Sequence, residues 1–178
     1  QFYDCLTRVP LIVSWPGQVS SGLRDASVVN LIDVVPTLLQ LQGLDIPCAM
    51  QGACLPTVTD AVPRDATFSE YGSGGPSFTQ DDLNLLPQPW GRSALMRSLQ
   101  WREAEGRRKM VRTQSWKYVH DSQGDKDELY DLCADPWELY NVVDQVDHAA
   151  VLADLRLRLT DWSIDCLLYT SPSPRDER

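Results

Sequence analysis

The chain of 178 residues carries 25 acidic against 16 basic side chains, a formal net charge of -9, so a phosphate backbone would be repelled and nucleic acid is not an expected partner. An apolar share of 43% supports a real core and suits one ordinary domain. No run approaches the roughly eighteen apolar residues that a membrane-spanning helix needs. The five cysteines (Cys5, Cys48, Cys54, Cys133 and Cys166) are odd in number and lack Cys-x-x-Cys spacing. Neither a zinc site nor a closed disulfide set is expected, although Cys48 and Cys54 can bridge in an oxidising compartment. The opening Gln1-Phe-Tyr-Asp-Cys-Leu-Thr-Arg8 has no initiator Met and no signal-peptide layout, so the chain reads as one entered mid-phrase. Nothing in it fixes a compartment.

In chain order, Arg8 to Val13 is a continuous apolar run stopped by Ser14-Trp-Pro-Gly17, the pattern of a strand buried on both faces of an α/β sheet. Asp33 is a suitable N-cap for a helix of about ten residues, with Pro36 in the first turn and Gly43 as the stop. Val34, Val35, Leu38, Leu39 and Leu41 would be its packing face. Leu44 to Arg64 reads as a connecting loop, rich in Pro, Gly and small polar residues. Ala66 to Tyr71 alternates like a strand, and Gly72-Ser-Gly-Gly-Pro76 follows as a turn that lacks the Gly-Lys-Ser/Thr ending of a phosphate-binding loop. Trp90 to Arg102 can be helical through Leu95, Met96 and Leu99.

The most legible stretch is Arg107 to Asn141. Lys109–Thr113 and Trp116–His120 are short runs of β-branched and aromatic residues parted by Gln114-Ser115, and Glu128–Leu132 is a third. Short connections make these three strands antiparallel neighbours. Arg107-Arg-Lys109 reads as a solvated edge, and Arg112 and Lys117 as cross-strand charges. The acids Asp121, Asp125, Asp127 and Glu128 miss the order of a twelve-residue calcium loop and read as a solvated turn. Asp135-Pro136 ends the last strand. From about Asp147 to Ile164, Val151, Leu152, Leu155, Leu159 and Trp162 recur at helical spacing, with Asp147 as cap and a single apolar stripe to cover. The tail Cys166 to Arg178, with its Ser-Pro-Ser-Pro, reads as disordered or artefactual, since it resembles translated adapter read-through.

The ordered string M-V-R-T-x-x-W-K-Y-V-H, then D-E-L-Y-D-L, then A-D-P-x-E-L-x-N resembles the C-terminal segment of type I sulfatases, of the alkaline-phosphatase-like superfamily. The phrases around Arg8–Gly17 and Leu31–Gly43 resemble the same family, so the likeness covers residues 1 to 164, about the C-terminal third of a typical member. It implies an α/β fold: residues 1–64 as the end of the catalytic domain, 65–165 as a subdomain with a small antiparallel sheet covered by the terminal helix, and 166–178 as the tail. It also implies a parent enzyme that hydrolyses sulfate esters, of a small molecule or a glycan, with a formylglycine nucleophile and a calcium ion.

The residues of that chemistry have no counterpart here. No cysteine is followed by x-Pro-x-Arg, because Cys54-Leu-Pro-Thr-Val fails at the arginine. Tyr3-Asp4 resembles the end of the family's K-x-x-x-Y-E/D segment, whose lysine would precede Gln1. The expectation is therefore no catalytic residue and no metal ligand in this chain, and a fragment inactive alone. His120 and His148, without metal spacing, read as structural or surface histidines. Glu70 and Tyr71, at a strand end beside the glycine-rich turn, are candidates for a substrate-facing rim. Two alternatives share these features: a phosphonate or phosphate-ester hydrolase of the same superfamily, and a non-catalytic binding or structural domain.

Overall fold

A computed structural model describes residues 2–70, 108–122 and 126–170. Its centre is a four-stranded antiparallel meander of β1 (Thr67–Glu70), β2 (Arg108–Arg112), β3 (Trp116–Asp121) and β4 (Glu128–Asp131), hydrogen-bonded in that order. The three later strands stand within a residue or so of where alternation and turn chemistry place them. Thr113 closes the three-residue connection between β2 and β3: its N–H donates to the Trp116 carbonyl at 2.8 Å, and its Oγ1 accepts from the Trp116 N–H at 3.0 Å. The pairing of β1 with β2, Phe68 opposite Val111, joins two segments about forty residues apart in sequence and has no local signal.

Both faces of the sheet are covered, so exposure does not alternate along the strands even though the side chains do. In β3 the consecutive residues Lys117, Tyr118 and Val119 are all buried. The front face holds Phe68, Val111, Tyr118 and Leu129 against the terminal helix α3 (Ala149–Thr170), whose Leu155 and Leu159 enter the core with Val143 and Ala66. Val151, Leu152 and Trp162 complete the helical stripe, and the Trp162 ring stacks on Phe68 at 5.0 Å. The apolar period therefore marked the packing face of α3 correctly. The helix begins after a 3-10 turn, Val146–His148, that contains Asp147.

The outer edge of β4 is closed by one side chain. Asn141 Oδ1 accepts the Leu129 N–H at 2.9 Å, its Nδ2 donates to the Asp127 carbonyl at 2.9 Å, and the Val142 N–H reaches the Leu129 carbonyl. Bonds that a further strand would make are thus supplied by a loop, which removes a free edge.

Before the sheet lie a four-residue helix α1 (Asp4–Thr7), a 3-10 turn (Leu31–Asp33) and helix α2 (Val34–Leu41). Gly43, at φ 68°, ends α2 with the two bonds of a Schellman motif, Leu44 N–H to Leu39 and Gly43 N–H to Gln40. Asp33 departs from the expected cap. Its carboxylate makes no bond to the α2 amides; it reaches back to the Asn30 N–H, across to the Ala53 N–H, and pairs with Arg64. At 2% exposure Asp33 is a buried hub holding the Gly52–Ala53 strand of loop beside the helix. Gly52 is required there, since a Cβ would sit 2.0 Å from the Ile32 carbonyl oxygen.

Three further expectations are corrected. Arg8–Val13 is neither a strand nor buried: Ile12 is 87% exposed, Val9 and Leu11 are exposed too. A strand needs a paired neighbour for its backbone groups, and no described segment supplies one. For the same reason the α2 face is incomplete, with Val35 and Leu38 exposed while Pro36 and Thr37 are buried. Third, residues Cys166–Thr170, assigned to the tail, continue α3, because the Pro residues that forbid helix lie only beyond them. The expected helix over Trp90–Arg102, and the turn at Gly72–Pro76, lie outside the described residues.

An exposed row of this kind recruits other chains. Ile12→Lys is expected to change stability by less than about 0.5 kcal/mol while reducing self-association in sedimentation velocity; an unchanged size distribution from a self-associating parent would count against that role for Ile12.

Candidate functional site

Charge collects on the back face of the sheet, opposite α3. Register puts Arg108, Met110 and Arg112 of β2 beside Lys117, Val119 and Asp121 of β3, with Glu128 and Tyr130 of β4 next to them. Residues 2–7 lie over this face. Phe2 is buried against Met110 and Val119, and the Tyr3 and Tyr130 rings stand 6.2 Å apart. Lys117 is fully buried, at 0% exposure. Its Nζ donates to Asp4 Oδ1 at 2.5 Å and to the Phe2 carbonyl at 2.9 Å, and pairs with Glu138. Arg112 donates to both Asp4 oxygens at 3.2 Å, and the Asp4 N–H donates to Glu138 Oε2 at 2.6 Å. Burial pushes the Asp4 carboxyl upward, but the hydrogen bonds and charges of Lys117 and Arg112 outweigh it and hold the group below the usual carboxylate range.

Beside this cluster, Arg108 is buried with both its Nε and Nη2 on Asp121 Oδ2, at 3.1 and 3.0 Å, and its Nη1 on Glu128 at 3.3 Å. Arg108 is buried and not the solvated edge that sequence suggested, whereas Arg112 and Lys117 do stand opposite each other across β2 and β3, as expected, with Lys117 buried. The strand alternation does send them outward from the α3 core, but residues 2–7 and the loop carrying Glu138 cover that side. Similarly Asp121 and Asp127 are not a solvated turn. Asp127 accepts from the Tyr118 hydroxyl at 2.6 Å and from Arg156 Nη2 at 2.8 Å, with His120 Nδ1 at 3.1 Å. Burial and the Asp127 carboxylate push the Tyr118 hydroxyl up to about 12. This set fastens α3 to the β3–β4 connection. His148 packs its ring 5.0 Å from Trp116, and His120 lies on β3 beside Asp127.

Of the rim candidates, Glu70 ends β1 with its carboxylate 2.9 Å from Lys109, whose ammonium lies over Trp162; Tyr71 lies outside the described residues. The structure brings Asp4, Arg112, Lys117 and Glu138 together, which sequence reading missed. One signal was present: a lysine set between Trp116 and Tyr118 and followed by Val119 needs a counter-charge wherever the strand is buried. Its partners stand 113 and 21 positions away in sequence by residue number, where no local pattern reaches.

An open groove of about 840 Å³ adjoins this face, lined by Met110 and Arg112 and by Val9, Leu11, Ile12 and Leu31. Among the described residues no group of three or more His, Cys, Asp or Glu side chains can hold a metal ion, and no helix is long and apolar enough to cross a membrane. The donor set for a resident calcium is therefore not found in the described part of this chain.

Residues 1–72 match the family model described as N-sulphoglucosamine sulphohydrolase, C-terminal. Arylsulfatase K of Bos taurus is 28% identical over 159 residues, 88% of this chain and 26% of its own length. The Delta 4,5-hexuronate-2-O-sulfatase of Bacteroides thetaiotaomicron is 27% identical over 164 residues, covering 90% of this chain and 29% of that protein. The solved structure of a 2-O GAG sulfatase superposes with a TM-score of 0.53 at 26% identity, over 73% of this chain and 23% of the other. The chain spans about a quarter of the length of the curated relatives it matches, a smaller share than the third expected. The matched regions take in both the segment before the sheet and the sheet with its helix, in an alkaline-phosphatase-like fold, and these likenesses together support a C-terminal sulfatase fragment.

Proposed function

We propose that this chain is the C-terminal part of an enzyme that hydrolyses sulfate esters, and that its own contribution is structural: it carries no nucleophile and no metal ligand, and is inactive alone. The observation that carries this is the extent of the likeness, 88% of the chain against an arylsulfatase. A sulfated glycan is the substrate class we favour, because relatives at similar identity are named for sulfated sugars. The formylglycine and calcium of the parent would come from residues other than these. The described side chains do not fit a calcium site, and no Cys-x-Pro-x-Arg stands in the sequence, so no catalytic step is assigned to this chain.

We divide the chain at Arg64, with residues 1–64 belonging to the catalytic domain and 65–165 to the subdomain. Asn30 ties the two, its Nδ2 donating to the Phe68 carbonyl at 3.0 Å across that division. Glu70, at the end of β1, and Tyr71, next to it in sequence, are our candidates for the pocket rim.

Purified protein assayed with an aryl sulfate and calcium is expected to show no turnover above buffer. Turnover that disappears on mutation of a residue of this chain would overturn the structural role. The reading frame upstream of Gln1 tests the parent's chemistry: it is expected to encode Cys/Ser-x-Pro-x-Arg, and a frame without that motif would overturn the sulfatase mechanism.

A further inference from the structure

Residues 2–7 are attached to the sheet through main-chain and charged groups as well as through the buried Phe2 ring. Helix α1 has only four residues, none of them buried, and the chain beyond it, Arg8–Val13, runs exposed and unpaired. What holds the segment is Phe2, through its ring and its carbonyl, together with the Asp4 amide and the Asp4 carboxylate. The charges facing one another here are two acids, Asp4 and Glu138, and two bases, Lys117 and Arg112. They sum to zero, the condition under which ions tolerate burial.

Glu138 shows how strongly this arrangement is specified. It is the one described residue other than glycine at positive φ, 56°, a backbone state an L residue keeps only where its surroundings over-determine it. Around it Trp137, Leu139 and Tyr140 are exposed while Glu138 is buried. The loop thus turns its carboxylate inward and its apolar side chains outward, the reverse of what hydrophobic burial alone would select.

We propose that Asp4, Arg112, Lys117 and Glu138 form an ionic latch, a conformational device that fastens residues 2–7 over the back face of the sheet and opens without unfolding the core on the front face. The separation of the two makes local opening possible. The latch lies on the side of Lys117 and Arg112, whereas Val111, Leu129 and Leu155 pack on the other side of the same strands. Asp4 and Arg112 also line one end of the open groove, so release of the segment would extend that groove across Met110 and Val119. The proposal stands on this geometry and does not depend on the sulfatase reading.

Hydrogen exchange read by mass spectrometry on the full chain tests it, with the Asp4→Asn and Glu138→Asn variants. Asn keeps the shape of Asp4 without its charge; at position 138 it accepts the left-handed backbone but is too short to reach Lys117. In both variants the amides of residues 4–7 should exchange about tenfold faster or more, the loss expected for a charge-assisted bond. Peptides covering 153–160 should keep their wild-type rates. Wild-type rates at residues 4–7 in either variant, an unprotected segment in the wild type, or equal acceleration in 153–160 would each overturn the latch.

Discussion

Lys117→Met is expected to lower the stability of the folded chain by about 3–5 kcal/mol, the usual consequence of removing one partner from a buried ion pair. Methionine fits the volume and even matches the apolar neighbours on β3, so a simple hydrophobic count would predict a gain. The loss comes from what remains. Glu138 is 6% exposed and would keep its carboxylate with no lysine, while the Phe2 carbonyl would lose its donor. Arg112 compensates Asp4 but makes no bond to Glu138 among those found. Urea denaturation followed by tryptophan fluorescence would measure the loss. The double variant with Asp4→Asn should lose less than the sum of the singles, by about 1 kcal/mol or more, because the two groups share one interaction. A single-variant loss under about 1 kcal/mol would show that Lys117 is not held as an ion.

Leu155→Ala should cost about 2–5 kcal/mol, the range for a leucine truncated in a packed core. Leu155 is 1% exposed and stands at the centre of the apolar stripe of α3, among Val111, Tyr118 and Leu129. Helix propensity does not offset the change, since alanine gains only a few tenths of a kcal/mol over leucine at most. The loss combines the transfer free energy of the removed methyl groups with the cavity they leave. Its size depends on how far α3 can settle toward the sheet, and the Phe68–Trp162 stack together with Arg156 on Asp127 restrains that movement. Leu157, on the same helix but 60% exposed, supplies the control: Leu157→Ala should stay within about 0.5 kcal/mol. Equal losses at the two positions would mean that the stripe does not face the sheet.

Those two sites also mark what could and could not be read from the residues alone. The period of α3 is a local property, since positions three and four apart share a face whatever the helix packs on. Leu155 was therefore recognisable as core before any strand was placed. The strands β2 to β4 were legible for a related reason: alternation, the Thr113-to-Trp116 turn and Asp135-Pro136 all act within a few residues. The Schellman stop at Gly43 belongs to the same class. Asp33, by contrast, was readable as a helix-entry residue but not as a hub, because Ala53 and Arg64 come to it from 20 and 31 positions away.

Sequence by itself determined strands β2 to β4, the apolar face of α3 and the ordered motif string that resembles that of the sulfatases. Only the tertiary structure decided which polar residues are inside. Arg108, Lys117, Asp121 and Glu138 look like surface charges because charge is usually left in water. They are buried because two segments distant in sequence, residues 2–7 and the loop through Glu138, close over the back face and bring opposite charges within hydrogen-bonding reach. The reverse error occurred at Arg8–Val13, where hydrophobicity suggested burial. Burial needs a second surface, and a strand needs a neighbour for its backbone. Neither requirement is written in the run itself, and the described chain leaves both unmet.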